Sequence, residues 1–291
     1  MPQKKSAYLH LAKQWTDKHR KRSSTLLQKH ADSIEWLSNK AKQTAIGTSA
    51  GLLLMGIPLQ TLTPPVSDPV QKEQPQVDSL TFLVNDLKEY LPSEMRPLSP
   101  GEEEKVGEVL SRYTGLKVSA ELQGFKLNRS YGLMGAEQHL ARFPGDTIAT
   151  HFDSQEQAAI YTKSGMAPGL GAFGYFARSQ AEFTQKDNDR EKYYIAVQTF
   201  LSEGFTSRFR EYMQFYKYRK MVVVNPNNGK AMVVVIADSG PAAWTGKHLG
   251  GSPEVMRYLE RFDGKQRGAV LYFFVDDPED TIPLGPMKLI Q

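Results

Sequence analysis

Two apolar runs separated by a short turn restrict the fold of this chain more than any other feature. Residues 221–224 read MVVV, residues 232–236 read MVVVI, and an N-P-N-N-G turn lies between them. Asn228 and Gly229 are candidates for the positive φ that a tight hairpin turn requires. Because neither run alternates with polar residues, both strands are predicted to be buried on both faces or closed into a barrel.

The sequence around this hairpin predicts further elements. A strand is expected at 268–275, and a helix at 252–261 begins with an N-cap serine followed by proline. Upstream, apolar residues at helical spacing predict a helix over 80–92. A second helix opens at the S-P-G-E-E-E sequence of residues 99–104, whose acidic first turn suits the helix dipole, and ends at Gly115.

Composition excludes several classes of protein. The 291 residues include no cysteine, which excludes disulfides, thiolate metal sites, a cysteine nucleophile and a lipidated cysteine. The chain has 36 basic and 32 acidic residues, but residues 1–44 hold ten of the basic and three of the acidic ones. The remainder therefore carries a slight acidic excess, and we expect no nucleic-acid partner.

An uncharged segment follows the basic tail. Residues 45–62 contain no charged side chain and are long enough, at the lower limit, to span a bilayer. The positive charge before this segment predicts a signal anchor with the N-terminus in the cytoplasm and the C-terminal part outside the cell membrane. A cleaved secretory signal and a soluble protein are the alternatives. The proline-rich residues 63–79 are predicted to be an extended linker.

The order of elements after residue 171 resembles a double-psi β-barrel of the rare lipoprotein A group, whose relatives include expansins and lytic transglycosylases. The sequence GAFGYFA at 171–177 is similar to the strand that opens the family's barrel, and the turn at 225–229 is similar to a family turn. D-S-G-P at 238–241 is similar to the family's D-R-G-P signature, and 252–259 to its helix. The likeness covers residues 171–275.

The resemblance implies a glycan-cleaving site centred on Asp238. A single carboxylic acid with a raised pKa can cleave a glycan without water. Family enzymes pair this acid with a histidine, but Gln198 stands at the similar position here and cannot exchange a proton near neutral pH. His248 is a possible replacement, and Asp189 lies near the position of a second family acid. Asp238, His248 and Asp189 are therefore the candidate catalytic residues, with turn-capping as the alternative role of Asp238.

Ligand-binding residues are expected around the same loop. Trp244 and Tyr175 could stack on sugar rings, and Tyr216 could extend this platform. Gln198 and Lys247 are the candidate polar contacts to the ligand. Packing in the core is the alternative role of the aromatic residues.

Polar residues in the stretch before the predicted barrel are possible metal ligands. Glu137, His139, Asp146 and His151 could in principle ligate a metal, but their spacing matches no metal-binding motif. Structural hydrogen bonding is the favoured interpretation, so no metal or other cofactor is expected.

These features together predict an α+β protein with an N-terminal membrane anchor, a helical segment and a C-terminal double-psi β-barrel. The predicted segments are a basic cytoplasmic tail (1–44), a transmembrane anchor (45–62), a linker (63–79), a helical and loop-rich region (80–170) and the barrel (171–291). The predicted function is to bind or remodel peptidoglycan or another envelope glycan. A non-catalytic envelope scaffold or protein-binding module is the alternative.

Overall fold

The computed structural model describes residues 79–261 and 267–290, which form an α+β arrangement around a β-barrel. The helices are α1 (Ser79–Tyr90), α2 (Pro100–Thr114), α3 (Gln155–Tyr161), α4 (Gln185–Lys192), α5 (Phe209–Tyr216) and α6 (Pro253–Tyr258). The strands are β1 (Val118–Ser119), β2 (Glu121–Leu122), β3 (Phe125–Lys126), β4 (Tyr131–Ala136), β5 (Tyr194–Val197), β6 (Lys220–Val224), β7 (Ala231–Ser239), β8 (Leu249–Gly251), β9 (Gly268–Val275) and β10 (Gly285–Pro286).

The described residues contain a closed barrel of six strands. Around the barrel the order is β9, β4, β8, β5, β7 and β6, and β6 pairs again with β9. The pairs β4–β8 and β5–β7 are parallel, and the other pairs of the barrel are antiparallel. Four short strands lie outside the closed ring: β1 pairs with β9, β10 pairs with β7, and β2 and β3 pair with each other. The predicted closed barrel is thus confirmed.

The barrel begins earlier in the chain than residue 171, where the resemblance begins. Strand β4 lies at 131–136 and closes the ring between β9 and β8. Residues 171–177, which the resemblance likens to an opening strand, instead form turns, with Gly174 at φ 79°. Glycine-rich sequence offers few side chains for strand packing, which accounts for the missing strand. Two glycines also weaken the strand signal of β4 itself.

Burial on both faces explains the continuously apolar strands. Met221 and Val223 of β6 belong to the interior cluster, to which each of the six barrel strands contributes apolar residues. Val222 and Val224 point the other way and pack with residues of α1 and α2. Because water reaches neither face of β6, the strand carries no alternating polar residues.

The predicted helices are confirmed, with local signals at their ends. Helix α2 is capped at its start by Ser99, which forms a capping box with Glu102, and at its end by Gly115 with φ 71°. Helix α6 packs its apolar residues into the interior cluster of the barrel. In the β6–β7 turn, Gly229 has the predicted positive φ of 73°, but Asn228 does not. A Cβ at Gly229 would lie 2.6 Å from the backbone oxygen of Leu80, so α1 approaches the turn closely.

In residues 79–261 and 267–290, no helix has the length and apolar character needed to cross a membrane. The predicted tail (1–44) and anchor (45–62) lie outside the described residues, as does the predicted linker up to residue 78.

Candidate functional site

Small residues lie in one row on the outer surface of the barrel. Gly135 of β4, Gly250 of β8 and Ala196 of β5 are paired in register. Ala196 is paired in turn with Asp238 of β7. The neighbours of Ala196 along the chain belong to the interior cluster, so this row faces away from the barrel interior.

Two longer side chains use the space that the glycines leave. The side chain of Lys247 lies 2.3 Å from where a Cβ of Gly135 would be, and that of Glu137 lies 2.1 Å from the corresponding point at Gly250. Lys247 Nζ and Glu137 Oε1 form an ion pair at 2.6 Å. Asp238, Glu137 and Lys247 are half-buried, and we call them the polar row. Any larger residue at either glycine would displace the ion pair.

Asp238 has one fixed and one available carboxylate oxygen. Its Oδ1 accepts hydrogen bonds from the backbone N–H groups of Ala172 (2.7 Å) and Ser239 (2.8 Å). Its Oδ2 accepts none from the described residues. Burial raises the pKa of Asp238, although the two backbone hydrogen bonds oppose this rise. A carboxyl group in this state is suited to donate a proton to a bound ligand.

Gln198 shapes the loop beside Asp238. Its side chain is buried, and Nε2 donates to the carbonyl oxygens of Pro241 (2.9 Å) and Lys247 (3.3 Å). The amide thus ties together the two ends of the 241–247 loop, which begins after the cis peptide bond between Gly240 and Pro241. At the position where the resemblance implies a histidine, this chain carries a group that fixes loop geometry.

His248 lies beside a different part of β4. Its Nδ1 accepts a hydrogen bond from the backbone N–H of Leu133 at 2.8 Å, which places the proton of the neutral ring on Nε2. Burial lowers the pKa of His248, and the charge of Arg129 lowers it further. In the described part of the chain, no hydrogen bond joins His248 to Asp238.

The aromatic candidates divide into exposed and buried side chains. Trp244 is 90% exposed on a single helical turn of the 241–247 loop. Tyr175 is 37% exposed, in the segment that contains Ala172. Tyr216 is fully buried in the interior cluster, with its hydroxyl hydrogen-bonded to Ser202, so its predicted part in a sugar platform is wrong. Its burial follows from the amphipathic helix α5, whose apolar side covers the barrel interior.

Asp189 lies apart from the polar row. It is on α4, where it accepts a hydrogen bond from Gln185 Nε2 at 2.7 Å. It lines a cavity with Lys186, Tyr218 and Lys220. The structure therefore brings Asp238, Gln198 and Lys247 to the same loop region and places Asp189 in another one.

A second group of polar side chains is fully enclosed. Nε2 of His151 lies 3.1 Å from Glu191 Oε2, and Nδ1 of His139 lies 3.4 Å from Glu191 Oε1. Nδ1 of His151 lies 3.0 Å from Asp146 Oδ2, and Arg142 donates to both oxygens of Asp146. These five side chains are buried. We call His139, His151 and Glu191 the buried histidine cluster.

Hydrogen bonds within this cluster stabilise the charged forms of His151 and Glu191 despite their burial. Burial opposes a charge on His151, but its bonds to Asp146 and Glu191 outweigh this effect and raise its pKa to about 9. Burial likewise opposes the charge on Glu191, and the two histidines lower its pKa to about 2. Of the four polar residues noted in the sequence, His139, Asp146 and His151 converge here. Glu137 does not, because it pairs with Lys247 in the polar row.

Glu254 is a notable residue that the sequence did not reveal. Burial, with the charge of Glu191, raises its pKa to about 8, and its buried Oε2 has no hydrogen-bond partner in the described residues. Glu254 also lines a cavity with Tyr161, Tyr193 and Tyr258. In the sequence, Glu254 is an acidic residue in the first turn of α6, which its favourable interaction with the helix dipole already explains. The sequence therefore gives no sign that its side chain is buried.

Comparisons with protein-family models and with curated proteins give no match. No protein-family model matches the chain, and no curated protein is significantly similar to it in sequence. The resemblance to rare lipoprotein A therefore rests on the motifs and their order, together with the six-strand barrel.

Proposed function

We propose that the barrel binds a glycan strand of the bacterial cell envelope and cleaves it with Asp238 as the acid. The observation that carries this proposal is the state of the Asp238 carboxyl group. One oxygen is held by two backbone N–H groups, the other is available, and burial raises the pKa. Trp244, exposed on the adjoining loop, offers a flat apolar surface of the kind on which sugar rings stack.

Asp238 performs both proton transfers in the proposed reaction. Its protonated carboxyl donates a proton to the glycosidic oxygen as the bond between that oxygen and the anomeric carbon breaks. A hydroxyl group of the same sugar then attacks the anomeric carbon and gives its proton to the Asp238 carboxylate. The products are a shortened strand and an intramolecular anhydro sugar, and the acid is regenerated without water. The Glu137–Lys247 ion pair lies in the same polar row and offers contacts to sugar hydroxyl groups.

We also propose that the barrel is a double-psi barrel related to the rare lipoprotein A group. The support is the sequence order of hairpin, D-S-G-P turn, helix and final strand, all within a closed six-strand ring. The contact of Gln198 with the D-S-G-P turn supports the alignment of this residue with the family histidine.

A non-catalytic glycan-binding module is the second candidate function. It is favoured by the bond from Ala172 to Asp238 Oδ1, because a carboxylate that fastens a loop needs no catalytic role. In the described residues, no histidine contacts Asp238 to assist proton transfer. This candidate retains Trp244 as a sugar contact and assigns Asp238 to structure.

Purified peptidoglycan separates these candidates. We expect the wild-type chain to sediment with the glycan and to release anhydro-sugar ends. Asp238→Asn should reduce release by ~10²–10⁴-fold and leave sedimentation unchanged, because it removes the exchangeable proton but keeps the carboxamide oxygen. Trp244→Ala should weaken binding by ~1–2 kcal/mol, the scale of one aromatic stacking contact. Glu89→Gln, an exposed change on α1, is the control.

Each result has a defined meaning for the proposal. Binding without anhydro-sugar release by the wild-type chain would establish the non-catalytic module instead. Failure of the wild-type chain to bind or cleave any envelope glycan would reject both candidates. Asp189→Asn should not reduce cleavage, since Asp189 lines a separate cavity.

We further propose that residues 45–62 tether the barrel to the outer side of the cell membrane. The support is the uncharged segment that follows a basic tail. Protease added to intact spheroplasts should digest the barrel and spare the tail. A barrel protected until lysis would contradict the tether.

A further inference from the structure

We propose that His139, His151 and Glu191 bind one divalent transition-metal ion of the zinc class. The buried histidine cluster takes its three residues from the segment between β4 and β5, and none of them is assigned to glycan cleavage. The proposal is therefore independent of the proposed function and concerns how this segment is fixed to the barrel.

The distances within the cluster suit a shared metal ion. Each of the three residues offers a ligand atom, and these atoms lie within 4.8 Å of one another. Two of the nitrogen–oxygen separations, 3.1 Å and 3.4 Å, are already near the ~3.3 Å between two ligands on one tetrahedral zinc with bonds of ~2.0 Å. A metal ion would replace the proton between His151 Nε2 and Glu191, which leaves to solvent.

The surrounding contacts orient the ligands as in known metal sites. Asp146 contacts Nδ1 of His151 at 3.0 Å and so leaves Nε2 for the metal. Arg142 in turn holds Asp146 through its guanidinium and its backbone N–H. The backbone N–H of Leu140 donates to Glu191 Oε1 at 3.0 Å. A carboxylate behind a ligating histidine, itself held by hydrogen bonds, is the arrangement that fixes ring orientation in zinc sites.

Nδ1 of His139 is the ring nitrogen that would bind the ion, since it lies 3.4 Å from Glu191 Oε1. Nε2 of the same ring is enclosed and has no hydrogen-bond partner in the described residues. The Oε2 atom of Glu254 is also enclosed and unpartnered there. Glu254 is not among the residues whose ligand atoms lie within 4.8 Å of one another, so the protein supplies three ligands to the proposed ion.

The ligand types and their burial identify the class of metal. Imidazole and carboxylate without thiolate favour zinc and related ions over magnesium or calcium, which prefer oxygen ligands alone. The three ligands lie on a loop after β4, on a second loop, and on α4, so one ion would join three parts of the chain. An enclosed site of this kind stabilises structure, since metal binding contributes directly to folding.

Metal uptake by the tag-free full-length chain tests the proposal. After removal of bound metal with a chelator and dialysis, the chain should bind one equivalent of Zn²⁺ in a calorimetric titration. It should also give a visible absorption band with Co²⁺. The melting temperature should rise with Zn²⁺. A folded wild-type chain that takes up neither ion at micromolar concentration would overturn the proposal.

Variants locate the ion. His139→Ala and Glu191→Gln should lower the affinity for Zn²⁺ at least 100-fold, and Asp146→Asn by ~10–100-fold because it acts behind a ligand. His248→Ala is the matched control, since His248 contacts β4 elsewhere, and it should bind Zn²⁺ as the wild type does. Circular dichroism checks that each variant is folded. If a ligand variant does not fold, the Zn²⁺ affinity of Asp146→Asn and the Zn²⁺ titration of the wild-type chain still test the proposal. Undiminished binding by the folded variants would overturn the assignment.

Discussion

The barrel and the segment 137–192 that joins β4 to β5 are stabilised by opposite kinds of interaction. The barrel interior is an apolar cluster to which all six strands contribute. The segment 137–192 contains short helices and long irregular stretches, and its buried residues include His139, Asp146, His151 and Glu191. Apolar burial is non-directional, whereas buried ions require each partner in place. We therefore expect the stability of the barrel to fall when buried side-chain volume is removed. We expect the stability of the segment to fall when one partner of a buried ion pair is removed.

Loss of a large side chain inside the barrel should have the largest effect. Phe274→Ala removes a fully buried ring that packs with Phe215 and Tyr216. We expect a loss of about 4 kcal/mol in the free energy of unfolding, through lost burial and the cavity left behind. Urea denaturation measures it. Phe82→Ala, at a side chain that is 55% exposed, is the control and should cost little. Equal losses in the two variants would show that the barrel interior is not the main core.

Removal of one partner from the polar network should rank second. Arg142→Met keeps much of the side-chain volume but leaves the buried Asp146 with His151 as its remaining cationic partner. We expect a loss of about 3 kcal/mol, because a buried charge that loses one of its partners is only partly compensated. Lys105→Met breaks the exposed Lys105–Glu108 pair and should cost less than about 0.5 kcal/mol. If the two substitutions cost the same, the network does not hold the segment.

Glu254 lies where the two regions meet and should make stability depend on pH. Its folded pKa of about 8 exceeds that of an exposed glutamate, so the folded state binds its proton more tightly than the unfolded state does. The stability that protonated Glu254 contributes to the folded state is fully present below about pH 4. It is lost as the pH rises towards 8, because burial disfavours the ionised carboxylate.

Glu254→Gln should remove this dependence. In a buffer with chelator, the variant should be more stable than the wild type at pH 8 and similar to it at pH 4, as measured by thermal unfolding. Glu89→Gln should leave the pH profile unchanged, because Glu89 is exposed. Parallel profiles for the wild type and Glu254→Gln would contradict the burial of this carboxyl group.

The smallest expected effect is local and belongs to neither region. Ser99→Ala removes the capping box of α2 and should cost about 1 kcal/mol. Ser99→Asp retains a capping oxygen and should recover most of this loss. Thermal unfolding measures both variants. A loss as large as that of Arg142→Met would mean that α2 depends on its cap more than on its packing.

Local sequence signals predicted much of the fold and part of the candidate site. The strand at 268–275 has the predicted bounds, and the capping signals of α2 and the glycine of the β6–β7 turn are where the sequence placed them. The sequence also predicts Asp238 and the loop that follows it as part of the candidate site. These features depend on residues that are near neighbours in sequence, so their physical causes are visible there.

Tertiary structure alone decided how distant residues meet. Glu191 lies 40 residues from His151 and 52 from His139, so no spacing rule could predict the buried histidine cluster. The raised pKa of Glu254 depends on burial and on the charge of Glu191, which the helix sequence does not contain. Strand β4 was missed for the same reason, since its place in the ring comes from pairing with β8 and β9 far along the chain. The sequence determines local geometry through neighbouring residues. The tertiary fold determines which polar groups distant in sequence are buried and come into contact.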